Sequence, residues 1–171
     1  GFSDVVLPAM SRQHVPDAAN VMSLFPELPW VEEVCRIGRH LSDRQASVLV
    51  AAVLLARKGL EERVFLLRTF HKHPGPVVLL RVIDACRELP PKVAGELLFQ
   101  LLQHSNEEVV LPAVECVLEM ELPERMEWLS PLSSSPMDQV REMVNQHLAH
   151  FGLEQLLDPS SSLGPDTRKR A

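Results

Sequence analysis

Seven histidines and three cysteines are the residues whose types could hold a metal ion or attack a substrate in this 171-residue chain. His40, His71, His73 and His104 recur near the ends of the first helices of the pairs inferred below, where the negative end of a helix dipole favours an imidazolium. Neighbouring helix axes lie about 10 Å apart, whereas zinc-to-nitrogen bonds span about 2.1 Å, so a single ion does not bridge that row. His147 and His150 share a helix face at i and i+3, and no third ligand accompanies them. Cys35, Cys86 and Cys116 sit in apolar helical patterns without a CxxC spacing, and read as small core residues of a reducing, cytoplasmic compartment. Ser133, Ser134 and Ser135 form a polar connector, and seven glycines are too few for a nucleophile elbow or phosphate loop. Trp30 and Trp128 read as core anchors. The expectation is a protein with no catalytic set, no metal and no cofactor.

The elements that carry these residues must be helices packed on helices. Hydrophobic residues make up 46% of the chain but aromatics only 5%, with no Tyr, so Leu, Val, Ala and Ile must build the interior. A net charge of -6 argues against a nucleic-acid partner, because a phosphate backbone needs clustered Lys and Arg to displace its counterions. The basic cluster Arg168, Lys169, Arg170 reads as a solubilising end. No apolar run reaches the roughly 18 residues of a membrane span, the longest being 46–56 with Ser47 inside it. The first residue is Gly1, which fits a trimmed leader or anchor, or one segment of a longer protein.

Sliding the chain against itself reveals a period of about 32 residues. Ala46, Val78, Val110 and Val140 form one row, Val50, Val82, Val114 and Val144 a second, and Leu54, Cys86, Leu118 and Leu148 a third. Within a unit these positions are four apart, which is one stripe of a helix. A second set lies one helix upstream: Val34, Leu66, Leu98 and Trp128, then Gly38, Phe70, Leu102 and Leu132. The spacing predicts paired helices at 30–41 with 43–57, 60–71 with 76–88, 92–104 with 106–119, and 123–132 with 136–151. Ser42 with Gln45, Ser105 with Glu108 and Ser135 with Asp138 are capping-box pairs. Pro76 suits a first helical turn, Pro90, Pro91 and Pro123 punctuate the junctions, and Pro112 falls inside the sixth helix, where it removes a hydrogen bond.

This pattern resembles the HEAT and armadillo-like superfamily over residues 30–152, most closely at 136–152. There Asp138, Val140, Arg141, Val144, Leu148 and Gly152 stand where a HEAT second helix places its acidic residue, Val-Arg pair, core positions and closing glycine. The other units carry Ser47, Leu79 and Leu111 in place of the arginine. The resemblance implies an all-α fold, an α-α superhelix of about four helix pairs, with the second helices lining the concave face. The aromatic and Gly-Tyr signature of tetratricopeptide repeats is absent, as are the His-Glu dipeptides of the HEAT-like di-iron deoxyhypusine hydroxylases. HEAT-like DNA glycosylases use a basic groove, whereas this groove would be acidic or apolar. The expected domains are an N-terminal arm (1–28), the helical-repeat domain (29–157) and a disordered tail (158–171) rich in Ser, Pro and Gly.

Opposite the core stripe, the third and fourth units carry an acidic row through Glu108, Glu115, Glu119, Asp138, Glu142 and Asn145. In the first two units the same row holds Val48, Ala51 and Leu55, then Leu80 and Ile83, and is apolar. A helix that is apolar all round must be covered. The arm, with Val5, Val6, Leu7, Met10, Val21, Met22, Leu24 and Phe25, is the expected cover, and self-association through this apolar half is the second expectation. Two functions follow: a non-catalytic scaffold module that binds a protein or peptide on these rows, or an enzyme or bilin-lyase-like accessory with a small-molecule pocket between the arm and the first repeats. An open groove would favour the first, and a closed pocket with converging polar groups the second.

Overall fold

The computed structural model describes residues 16, 19, 20, 36–38, 40–56, 59–120, 122 and 124–157, the last seven as backbone only. Apart from residues 16, 19 and 20, the expected arm lies outside the described residues, as do the apolar residues assigned to it, the tail 158–171, Val34, Cys35 and Trp30. Every regular element among the described residues is helical. They are α1 (Asp43–Ala56), α2 (Leu60–Phe70), α3 (Pro76–Cys86), α4 (Pro91–Leu101), α5 (Glu107–Glu119), the short α6 (Arg125–Leu129), a 3-10 turn (Ser130–Ser134) and α7 (Asp138–Leu157). No described helix is long and apolar enough to cross a membrane. The chain divides into two compact units, 1–120 and 121–171, so the expected repeat domain 29–157 spans both.

In the first unit, helices alternate between two layers. α1 packs on α3 and α3 on α5, while α2 touches α1 and α3, and α4 touches α3 and α5. Residues at both apolar rows drive this arrangement: Ala46, Val50, Val78, Val82, Val110 and Val114 are all buried, as are Leu66 and Phe70 of α2, Leu98 of α4 and Leu102 at its C-terminal end. Leu54 and Leu118 of the third row are half-buried, and only Cys86 of that row is enclosed. In the row Gly38, Phe70, Leu102 the missing side chain has a use, because a methyl group at Gly38 would overlap the Phe70 ring.

Local signals explain the helix starts. Pro76 and Pro91 occupy first turns, where their fixed φ fits and no hydrogen bond is lost. Glu61 and Glu62 complement the dipole at the start of α2. Gln45 accepts from the Ser42 amide (3.3 Å), completing half of that capping box. The other two boxes are corrected. Asn106 is the cap of α5, its Oδ1 accepting from the Glu108 amide at 2.9 Å. Ser135 Oγ accepts from the Met137 amide (3.2 Å), a turn rather than a box, and Asp138 pairs with Arg141. Pro112 lies within α5 as expected.

In the second unit α6 and the 3-10 turn pack together, and α7 packs on that turn. Arg141 reaches Asp138 (2.6 Å) and the Ser135 carbonyl (2.9 Å), and Asn145 donates to the Ser133 carbonyl (3.2 Å), which fixes α7 against it. Val140 and Val144 are fully buried.

Candidate surface groove at α1, α2 and α3

The outward row on α1, α3 and α5 follows from where the helices begin. Those three start 33 and then 31 residues apart, and α7 another 31. Burial follows the same offsets: Val50, Ile83 and Val114 are equivalent core positions, and so are Leu49, Val82 and Ala113. A uniform offset of 32 slips α3 by one residue, or about 100° of helix rotation. Ile83, assigned by that offset to the partner-binding row, is therefore corrected to the core at 1% exposure. Leu80 is half-buried.

The outward row of α3 is instead Val77, Arg81 and Asp84, with Glu88 just past the helix end, all exposed. Only α1 presents an apolar outward row, with Val48 and Ala51 half-buried and Leu55 at 62% exposure. On α5, Glu108, Glu115 and Glu119 are exposed. Glu119 accepts from Arg87 Nε (2.7 Å), and Arg87 Nη1 also reaches Asp84 (3.0 Å), tying the end of α3 to the end of α5. The Glu119 hydrogen bond, partly opposed by burial, raises the Arg87 guanidinium above its ordinary value. Glu108 and Glu115 have no side-chain partner among the described residues. In the second unit Asp138 pairs with Arg141, Glu142 accepts from Gln146 (3.3 Å), and Asn145 is engaged with Ser133, all three exposed.

Where α1, α2 and α3 meet, the surface opens into a groove of about 520 Å³, bordered at one edge by Pro16. Ala51, Leu54, Leu55 and Ala85 give it an apolar floor. Arg63, Arg81, Asp84 and Glu88 line its charged sides. Arg63 Nη2 pairs with Glu88 (2.5 Å), yet Arg63 Nε is buried without a hydrogen-bond partner. Arg81 has no ion pair or hydrogen bond among the described residues. The two arginines escaped the sequence reading, although Arg81 interrupts the apolar run of α3 and marks the side of that helix facing water.

The histidines take structural roles different from the expected one. His73 Nδ1 accepts from the Gly75 amide (3.0 Å) and His104 Nδ1 from the Asn106 amide (3.1 Å), so in both rings that nitrogen carries no proton. The His73 ring also stacks on Phe70. His71 bridges the Arg68 carbonyl (2.6 Å) and Gln100 Oε1 (2.7 Å), joining α2 to α4 beside the Arg68–Glu96 pair. Among the described residues no three His, Cys, Asp or Glu side chains converge as metal ligands.

Cys86 and Cys116 are free and fully enclosed. Burial, reinforced by the neighbouring Cys116, pushes the Cys86 thiol up to about 12. Burial pushes Cys116 up to about 11, with Arg87 pulling the other way. Both are protonated near neutrality and are poor nucleophiles. The chain matches no protein-family model, no curated protein and no solved structure.

Proposed function

We propose that this chain is a non-catalytic binding module, a short HEAT-like α-solenoid that seats a protein or peptide on the outward rows of its second helices. The carrying observation is the packing of α1 on α3 and α3 on α5, which sets the three outward rows side by side next to an open groove. Leu55 is the most exposed large apolar residue among the described residues at 62%, and an exposed leucine beside a groove is the kind of anchor that partner surfaces cover. The groove is open to solvent rather than an enclosed cavity, which suits a segment of chain better than a small molecule. Glu108 and Glu115 supply a rim that selects against acidic surfaces approaching α5. A protein with such buried, protonated thiols suits a reducing compartment such as the cytoplasm.

The test is affinity capture from cell extract followed by mass spectrometry, with the intact chain, Leu55→Glu, and a Glu108→Lys, Glu115→Lys double variant. All three changed positions are exposed, and Glu108 and Glu115 have no side-chain partner among the described residues, so folding should persist, as checked by circular dichroism. Loss of the same captured proteins with Leu55→Glu is the expected result. Capture that is identical across all three chains would remove these rows from consideration.

A further inference from the structure

We propose that the groove between α1, α2 and α3 takes an acidic, leucine-bearing peptide segment, with a ligand carboxylate between Arg63 and Arg81 and a ligand leucine on Leu54 and Leu55. The inference rests on the binding-module reading and names the chemistry of its partner.

Formally the groove carries two arginines, one aspartate and one glutamate, and is neutral. Pairing breaks that symmetry. Asp84 is held by Arg87 at 3.0 Å, and Glu88 by Arg63 Nη2. The charge left without a counterpart is Arg81, and the donor left without an acceptor is Arg63 Nε. Both are cationic, both line the same groove, and both call for an anion that accepts hydrogen bonds. Arg63 is the more telling of the two. Its side chain is only 17% exposed and Nε itself is shielded from solvent, so a carboxylate in the groove reaches that donor by a small shift of the guanidinium, which would remove the standing cost of a buried donor lacking an acceptor.

A carboxylate suits this place better than a dianionic phosphate, because Asp84 and Glu88 stand within the same groove and would repel the second charge. The floor sets the other half of the chemistry. Ala51 and Ala85 are small residues beside the larger Leu54 and Leu55, leaving room for one branched aliphatic side chain. A segment with an acidic residue next to a leucine meets both requirements at once.

The experiment uses fluorescein-labelled, N-acetylated twelve-residue peptides with two leucines four residues apart and Glu, Gln or Lys between them, titrated with the full chain by fluorescence polarisation. The expected order is Glu over Gln over Lys, with about a tenfold step from Glu to Gln. Arg81→Glu, at an exposed position, should invert the order and prefer the Lys peptide. Arg63→Lys keeps the Glu88 pair but removes the Nε donor, and should weaken the Glu peptide about fivefold while leaving the melting curve near that of the parent. Equal binding of Glu and Lys peptides, no binding of any peptide up to about 1 mM, or an order unchanged by Arg81→Glu would each overturn the proposal. If Leu55→Glu abolishes capture of a partner while Arg81→Glu leaves that capture intact, the acidic-segment inference falls and the binding-module reading stands.

Discussion

The turns leading into α3 and α5 share one device and differ in another. In both, a histidine Nδ1 accepts the amide two residues on, His73 from Gly75 and His104 from Asn106. The caps then diverge. Asn106 caps its own helix through the Glu108 amide. Gly75 has no side chain, and the amides of Val77 and Val78 are satisfied instead by the Asp43 carboxylate of α1, at 3.0 and 2.9 Å. One helix start is self-sufficient, whereas the other borrows its cap from α1. Borrowing couples α1 to α3 by a charge-assisted pair of hydrogen bonds in addition to apolar packing.

The largest expected effect breaks this borrowing. A methyl group at Gly75 would overlap the Asp43 carboxyl, so Gly75→Ala must expel it and should destabilise by about 2 kcal/mol. Gly75 has φ -84° and ψ 128°, extended backbone that alanine also adopts, so the penalty comes from the clash alone. Asp43→Ala removes the two cap bonds and should cost about 1–2 kcal/mol. In the Asp43→Ala background, Gly75→Ala should then be neutral or slightly stabilising through the unfolded chain. Urea denaturation of the four chains of this cycle measures it; additive losses would show that Asp43 is not what the glycine makes room for.

The far ends of α3 and α5 sharpen the comparison through their thiols. An unfolded thiol near 9 ionises while folded Cys86 and Cys116 stay protonated until about 12 and about 11. Raised folded values mean this stabilisation is complete below pH 9 and is lost as pH rises, ending near 11 for Cys116 and near 12 for Cys86. Each thiol should remove about 1 kcal/mol per pH unit inside its window. Chemical denaturation at pH 8, 9 and 10 should show the decline, and Cys86→Ala should lessen its slope. A slope unchanged in that variant would remove the thiol as its source.

These contrasts also show what the sequence could and could not reveal. The valines at 50, 82 and 114 disclose the layering, because four-residue apolar spacing survives small errors of phase along one helix. The outward rows do not survive such errors. α3 is apolar around most of its circumference, so Val78 and Leu79 compete as partners of Ala46, and the choice between offsets of 32 and 33 decides whether Ile83 is surface or core. Asp43 reads as an ordinary first-turn acid from sequence, since nothing local says that its carboxylate serves a helix more than thirty residues away. Arg63 shows the same limit: its unpartnered Nε is a property of packing and has no local pattern.

The smallest expected effect tests the self-sufficient side. Asn106→Ala removes an acceptor from the Glu108 amide and should cost about 1 kcal/mol, while Asn106→Gly should cost only a few tenths, because water can reach the freed amide. Asn106 is only half-buried and Glu108 is exposed, which makes that access available. Neither change touches a residue of α1 or α3, so each should add to the Asp43→Ala loss within about 0.5 kcal/mol. Strong coupling between Asn106→Ala and Asp43→Ala would mean that the cap of α5 also depends on the α1–α3 junction, and that the two helix starts form one cooperative element rather than two.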